Sequence, residues 1–103
     1  MAKVYVVNRG GHDYSSAERF GTLVFCTEGQ LSKYDTGQMY RQLMTCMADS
    51  NPEDYILLTS LTTLCSVAAA IFSVKHQRVN FLIHRKEDGY VERTVVLEAN
   101  GNS

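Results

Sequence analysis

The sequence lacks several features that would assign a class of protein at once. Its 103 residues include one proline and no tryptophan, and its formal net charge is −1. A chain this close to neutrality has no global basic field that would attract nucleic acid or an anionic membrane. The start of the chain shows no signal-like pattern, and the apolar stretch Leu64–Val74 is too short to span a bilayer. We therefore expect no nucleic-acid partner and no membrane partner.

Motifs that would identify a cofactor or a metal are also missing. The chain contains no Gly-x-Gly-x-x-Gly and no Gly-Lys-Ser/Thr, so neither the dinucleotide nor the nucleoside-triphosphate signature is present. His12 and Asp13 are adjacent, but a metal site needs further ligands, and we expect His76 and His84 to lie elsewhere. The sequence predicts neither a metal nor a cofactor.

Cysteine usage points to a reducing compartment. The three cysteines, Cys26, Cys46 and Cys65, all lie within apolar segments, and none belongs to a Cys-x-x-Cys motif. An odd number without clustered histidines is typical of free buried thiols rather than of a disulfide framework. We expect three reduced thiols in a cytoplasmic protein.

The segment Asp54–His76 organises the rest of the chain. Tyr55–Leu58 is an unbroken apolar run, which is typical of a strand buried on both faces. Leu64–Val74 is apolar almost all round, so we expect a helix that neighbours bury on several sides. Between them, Thr59–Thr63 is rich in hydroxyl groups that could cap the helix or contact a ligand.

The remaining elements complete a small α/β domain over residues 1–97. The sequence predicts strands at Lys3–Val7, Thr22–Thr27, Arg78–His84 and Tyr90–Leu97, a helix at Gly37–Ala48 capped by Asp35 or Thr36, and a short helical turn after Ser15 or Ser16. Asp88–Gly89 favours a hairpin between the last two strands. The polar tail, 98–103, is predicted to be disordered. We expect a mixed, mainly parallel sheet of about five strands with two main helices, similar to half of a Rossmann-like domain that ends in a β-hairpin.

Polar residues follow the first three predicted strands. If these strands are parallel, their carboxyl ends share one edge of the sheet, where ligands bind in folds of this class. The predicted ligand-binding residues are Asn8, Arg9, Gly10, Gly11, His12, Asp13, Tyr14, Ser15, Arg19, Glu28, Ser60, Thr62 and Thr63. This prediction depends on parallel pairing of the first two strands, because their connection has only a weak helical signal.

These residue types suit a phosphate-bearing ligand. Backbone N–H groups in a glycine-rich turn and at a helix N-terminus attract anions, and Arg9 and Arg19 could pair with phosphate in a forked geometry. Glu28 or Asp13 could accept a hydrogen bond from a ribose hydroxyl. The aromatic candidates for stacking on a base are Tyr14, Phe20 and Tyr34.

The same residues also admit structural interpretations. Gly10–Gly11 is typical of a simple turn, and the hydroxyls of Ser60, Thr62 and Thr63 are typical of helix caps. A His12–Asp13 acid–base dyad would make the protein a small hydrolase, but adjacent side chains rarely point the same way. We therefore favour a binding protein over an enzyme and predict no catalytic residues.

Four stretches together resemble one group of proteins. They are Val7–Ser15, Ala17–Gly21, Asp54–Thr59 and Val91–Leu97. Over Lys3–Leu97 the chain is similar to small, mostly uncharacterised accessory proteins of tailed bacteriophages and prophages. Small phage accessory proteins often counter host defence, and one strategy sequesters the nucleotide signals of cyclic-nucleotide or TIR-type immune systems. The resemblance implies a host bacterial cytoplasm and no defined activity.

The sequence and the resemblance together lead to one hypothesis and one alternative. The hypothesis is a non-catalytic homo-oligomer that sequesters a nucleotide-derived immune signal of the host, such as a cyclic nucleotide or an ADP-ribose-like molecule. The alternative is a protein–protein interaction or virion-accessory module without a small-molecule ligand. In that case the helix Leu64–Val74 would serve a partner interface.

Overall fold

The computed structural model describes residues 1–32 and 34–98, which form a five-stranded sheet with two α-helices. The strands are β1 (Lys3–Val6), β2 (Thr22–Phe25), β3 (Tyr55–Leu57), β4 (Arg78–Arg85) and β5 (Gly89–Val96). The helices are α1 (Thr36–Cys46) and α2 (Thr62–His76), and a single 3-10 turn covers Ser15–Ala17. Residues 99–103 of the predicted disordered tail lie outside the described residues.

The sheet has a parallel centre and one antiparallel edge. The strand order is β2-β1-β3-β4-β5, and all neighbours are parallel except the β4–β5 hairpin. Val4 lies beside Leu23 of β2 on one side and Tyr55 of β3 on the other. The predicted fold class is confirmed, and β1 and β2 are parallel as the site prediction requires. Their carboxyl ends therefore lie at one edge with that of β3.

Helix α1 forms where its capping residue and its apolar spacing predict it. The Asp35 side chain accepts a hydrogen bond from the Gln38 N–H at 3.0 Å, which satisfies one of the free N–H groups of the first turn. Met39, Leu43 and Met47 are buried, so the predicted apolar stripe is the face that packs on the sheet.

Helix α2 differs from the expectation that neighbours bury it on several sides. It packs on the sheet and against α1, but Ser66, Ala70 and Val74 are exposed, Val74 by 78%. Its buried residues are Leu64, Cys65, Ala68, Ile71 and Phe72. These residues contact the protein's own sheet, so they are not free to form the partner interface that the alternative hypothesis assigned to this helix. None of the helices in the described ranges is long and apolar enough to cross a membrane.

The other face of the sheet is covered by the β1–β2 connection instead of a helix. Tyr14 and Ala17 of this connection are buried against Val6 and Leu82, together with Tyr90 of β5. The connection returns to β2 beneath the amino terminus, where a Cβ atom at Gly21 would overlap the Ala2 carbonyl group. Only glycine permits this close approach of two backbones.

The cysteine prediction was wrong for two of the three residues. Cys26 and Cys46 form a disulfide, whereas Cys65 is free and buried. The Cα atoms of Cys26 and Cys46 lie 5.4 Å apart, which is within the range that a disulfide requires. They are close because α1 packs beside the end of β2. Apolar sequence surroundings indicate burial but carry no information about this proximity.

A buried polar network ties together the strands at their amino-terminal ends. The Asp54 carboxylate accepts hydrogen bonds from the Lys3 N–H at 2.9 Å and the Asn51 N–H at 2.8 Å. The side-chain amide of Asn80 donates to the carbonyl groups of Asp54 and Pro52 at 2.8 and 2.7 Å. Asp54 and Asn80 are 1% and 2% exposed, so each unsatisfied group here would cost about 1–3 kcal/mol.

We expect Asn80→Ala to lower the free energy of unfolding by about 1–3 kcal/mol, because it leaves the buried Asp54 carbonyl and the partly buried Pro52 carbonyl without this donor. Chemical denaturation measures this loss. The matched control is Asn51→Ala, since the Asn51 side chain is exposed and its backbone N–H and carbonyl make its bonds to Asp54. Its expected effect is below about 0.5 kcal/mol. Equal losses in both variants would contradict the role given to Asn80.

His76, the last residue of α2, contacts the segment that follows α1. Its Nε2 atom lies 2.9 Å from the Ser50 hydroxyl, and its ring packs on Phe72 with a centroid distance of 4.5 Å. Burial, followed by the neighbouring charge of Lys75, lowers the pKa of His76, although Asp54 and Glu53 act in the opposite direction. The unfolded chain therefore binds this proton more readily than the folded protein does.

The sign of this shift predicts a loss of stability in mild acid. Stability that depends on neutral His76 should be present above the ordinary histidine pKa of about 6.5 and should decrease as the pH falls below it toward the lowered folded pKa. Unfolding free energies measured across this range test the expectation. His76→Asn should reduce the pH dependence, whereas His12→Asn, at an exposed position, should retain it. The same slope in His76→Asn and the wild type would refute the assignment.

Candidate functional site

A cavity of about 650 Å³ opens at the carboxyl edge of the parallel strands. Its size is typical of a pocket for a small molecule. Its walls come from the β1–β2 connection, the β3–α2 connection and the hairpin. The lining residues are Asn8, Gly10, His12, Asp13, Tyr14, Leu58, Thr59, Ser60, Leu61, Ile83, His84 and Tyr90.

The structure brings part of the predicted site together in this cavity. The predicted residues in its wall are Asn8, Gly10, His12, Asp13, Tyr14 and Ser60. The predicted residues outside its wall are Arg9, Gly11, Ser15, Arg19, Glu28, Thr62 and Thr63. The predicted loops after β1 and β3 meet at the cavity because these two strands are parallel neighbours. Glu28, in the predicted loop after β2, is outside the cavity wall.

Tyr14 fixes the shape of the β1–β2 connection. Its hydroxyl accepts a hydrogen bond from the Gly10 N–H at 3.0 Å and donates to the Asn8 carbonyl at 3.3 Å. Its ring is 7% exposed and packs edge-on against Phe25 at 5.8 Å. The hydroxyl end of Tyr14 reaches the cavity, but its ring face belongs to the core and is not free to stack on a base.

Thr27 holds the Asn8 side chain in place. The Thr27 hydroxyl lies 2.7 Å from the Val7 carbonyl oxygen and 2.7 Å from the Asn8 side-chain amide. Both contacts join β1 to the end of β2, and Thr27 is buried. The Asn8 amide is therefore a positioned polar group at the cavity wall.

The adjacent residues His12 and Asp13 do not form the dyad that a hydrolase would need. The Asp13 carboxylate accepts a hydrogen bond from the Ser15 N–H at 2.9 Å. This bond, together with one from the Ser15 side chain, lowers the pKa of Asp13. The His12 ring instead contacts Tyr14 edge-on at a centroid distance of 6.2 Å. Each side chain has its own partner, so Asp13 does not orient His12.

The two arginines predicted to bind phosphate are engaged outside the cavity. The Arg9 guanidinium lies 4.4 Å above the Phe25 ring. Arg19 donates to the Tyr90 carbonyl at 2.8 Å and lies 4.7 Å above the Phe20 ring. Among the described residues that line the cavity there is no lysine or arginine. Within this described lining, backbone N–H groups can attract an anion.

The β3–α2 connection contributes backbone polarity. No side-chain hydrogen bond caps α2 at Leu61, so the hydroxyls predicted as helix caps do not serve that function. Cys65 instead organises the connection: its Sγ atom accepts from the Thr59 N–H at 3.3 Å. The N–H groups of the first turn of α2 are left to face this edge of the sheet.

The hairpin supplies residues that the sequence prediction missed. His84 was expected to lie away from the site, but it lines the same cavity as His12. The register of β4 and β5 pairs His84 with Tyr90, and their rings meet edge-on at 5.4 Å. The Asp88–Gly89 turn signal could have indicated this pairing, because a hairpin turn fixes the register of its strands. Within the described residues, no group of three or more His, Cys, Asp or Glu side chains is placed to hold a metal ion.

We expect Tyr14→Phe to loosen the β1–β2 connection without unfolding the protein. Loss of the hydroxyl removes the bonds to Gly10 and Asn8, at a cost of about 1 kcal/mol in unfolding free energy. Amide hydrogen exchange at Gly10 should accelerate. Tyr40→Phe, on the exposed side of α1, is the matched control and should change neither quantity. Unaltered exchange at Gly10 in Tyr14→Phe would show that the hydroxyl does not hold the loop.

Comparison with known proteins matches the chain to a family. The family model described as "Phage Pam3 gp32-like protein" matches residues 2–97, which is nearly the whole chain. No curated protein and no solved structure matches the chain.

Proposed function

Because the chain belongs to the Phage Pam3 gp32-like protein family, we propose that it is a phage binding protein that sequesters a nucleotide-derived immune signal of its host. A cyclic nucleotide or an ADP-ribose-like molecule would occupy the cavity at the carboxyl edge of the sheet and would be released intact. The observation that carries this proposal is the cavity itself, where two loops and the hairpin bring polar groups around one space of about 650 Å³.

The groups around the cavity suit a nucleoside better than a bare anion. His12 and His84 supply flat rings, Leu58 and Leu61 supply apolar contact, and Asn8 supplies an amide. These groups are typical of sites that combine apolar contact with a few placed hydrogen bonds. With no guanidinium in the described lining, phosphate oxygens would bind near the mouth, at the N-terminus of α2.

Sequestration is favoured over hydrolysis by the separate contacts of His12 and Asp13. A general base is usually oriented by a second group, and here the Asp13 carboxylate is bound to Ser15 instead of His12. A ligand can therefore bind at this edge of the sheet, where His12 and Asp13 do not form the acid–base pair that the hydrolase hypothesis requires. Homo-oligomerisation remains part of the proposal, because sequestering proteins of this kind are often oligomeric.

The test is native mass spectrometry with a panel of cyclic nucleotides and ADP-ribose derivatives, followed by calorimetric titration of any ligand that adds mass. We expect His84→Ala and Ser60→Ala to weaken binding by about tenfold each, the loss expected for about 1.4 kcal/mol of contact energy. Ser66→Ala is the matched control for Ser60, since Ser66 lies on the exposed side of α2. Affinity unchanged in both cavity variants would refute the site, and a chemically altered ligand would refute sequestration.

A second candidate function is a protein–protein interaction without a small ligand, and a separate surface favours it. The hairpin exposes Ile83 and Val95, which the β4–β5 register places on the same face of the sheet. An apolar surface at a sheet edge is typical of an interaction site. A clean mass with no adduct across the panel, together with loss of a co-purifying protein in Val95→Lys, would favour this function.

A further inference from the structure

The hydroxyl group of Tyr90 belongs to a buried residue in the wall of the cavity. Tyr90 is 4% exposed, and within the described part of the chain the structure gives its hydroxyl no hydrogen-bond partner. Buried tyrosine hydroxyls usually have a partner, and leaving one without costs about 1–3 kcal/mol. Phenylalanine would fill the same space without the cost of an unpaired hydroxyl. The hydroxyl therefore indicates a requirement other than folding stability.

The rest of Tyr90 is fixed on every side. Its ring packs edge-on against His84 and belongs to the core cluster with Tyr14 and Leu82. Its N–H donates to the Asp88 carbonyl at 3.0 Å, and its carbonyl accepts from Arg19 at 2.8 Å. The side chain therefore cannot rotate to reach another hydrogen-bond partner, and its hydroxyl keeps this position.

The hydroxyl is a hydrogen-bond donor on the side of Tyr90 that is near Asp13 and Tyr14, because the charges of both residues act on it. Burial, followed by the nearby Tyr14 and Asp13 groups, raises the pKa of Tyr90, so the phenol keeps its proton. Asp13 and Tyr14 both line the cavity, and so does Tyr90. A donor that lies close to a carboxylate, in a wall without lysine or arginine among its described residues, disfavours an anionic group at the same point.

We propose that the Tyr90 hydroxyl is the specificity-determining donor of this cavity and binds an uncharged acceptor atom of a heterocyclic base. The acceptor is a ring nitrogen or a ring carbonyl oxygen, and the base lies between the hairpin and the β1–β2 connection. The phosphate or ribose part of the ligand then points outward, toward the mouth. This inference rests on the proposed function and adds to it the part of the ligand that Tyr90 recognises.

The geometry explains why a base fits this position better than a phosphate does. A site built to donate to a ligand discriminates against an analogue that lacks the acceptor, since the buried donor then stays unpaired. A heterocycle also presents flat faces to the rings of His12 and His84, which line the wall from different elements. Tyr90 would therefore distinguish base-containing ligands from sugar phosphates alone.

The experiment compares the full-length wild type with Tyr90→Phe, which keeps the ring and removes only the donor. The probes are adenosine, ADP-ribose and cyclic AMP, deaza analogues of adenosine in which a ring nitrogen is replaced by C–H, and ribose 5-phosphate, which has no base. Binding is measured by calorimetry, or by ligand-observed NMR when it is weak. Tyr40→Phe is the matched control, because this tyrosine is exposed on α1.

We expect Tyr90→Phe to weaken the binding of base-containing probes by about five- to tenfold and to leave the binding of ribose 5-phosphate unchanged. One deaza analogue should show the same loss with the wild type and no further loss with Tyr90→Phe. The ligand-free stability of Tyr90→Phe should equal or exceed that of the wild type, because an unpaired hydroxyl is removed.

The outcomes separate this inference from the function on which it rests. If the wild type binds a probe and Tyr90→Phe binds it equally well, the role of Tyr90 is refuted and the proposed function stands. If the ligand-free Tyr90→Phe protein is strongly destabilised, the hydroxyl has a structural partner and the inference is also refuted. If neither the wild type nor Tyr90→Phe binds any heterocyclic probe, both proposals are refuted together.

Discussion

The parallel centre of the sheet depends on the buried carboxylate of Asp54. This group receives the first N–H of β1 and the N–H of Asn51, while Asn80 binds the Asp54 carbonyl from β4. Three parallel strands thus begin from one network of hydrogen bonds. A buried charge is tolerated only where such bonds replace its water. The network fixes the relative positions of the strand beginnings, and the register along each strand then determines where the strand ends lie.

The two edges of the sheet are consequently different in kind. At the amino-terminal edge, Asp54 and Asn80 find their partners within the chain. At the carboxyl edge, the first turn of α2 has no side-chain cap and the Tyr90 hydroxyl has no partner among the described residues. Several polar groups that lack hydrogen-bond partners at one edge of a fold are typical of a ligand-binding site. The contrast between the edges supports a binding role for the cavity.

Much of the fold could be predicted from local patterns. The capped stripe of α1, the apolar run of β3 and the Asp88–Gly89 hairpin each follow from spacing and from residue conformational preferences. The parallel pairing of β1 and β2 was a condition of the site prediction and was confirmed by their register. The site was predictable only in part, because strand ends can be located in a sequence but side-chain directions cannot. Arg9 and Arg19 therefore lie in loops assigned to the site, yet their guanidinium groups contact Phe25 and Phe20 outside the cavity.

The sequence by itself determined the elements, their order and the edge at which polar loops converge, because these follow from periodicity and from chain connectivity. Tertiary structure alone decided which side chains meet. It joined Cys26, after β2, to Cys46 of α1, and it placed His84 and Tyr90 of the hairpin in the same cavity wall as the β1–β2 connection. Such contacts depend on the packing of segments that are distant in the chain, and local residue patterns do not encode those distances.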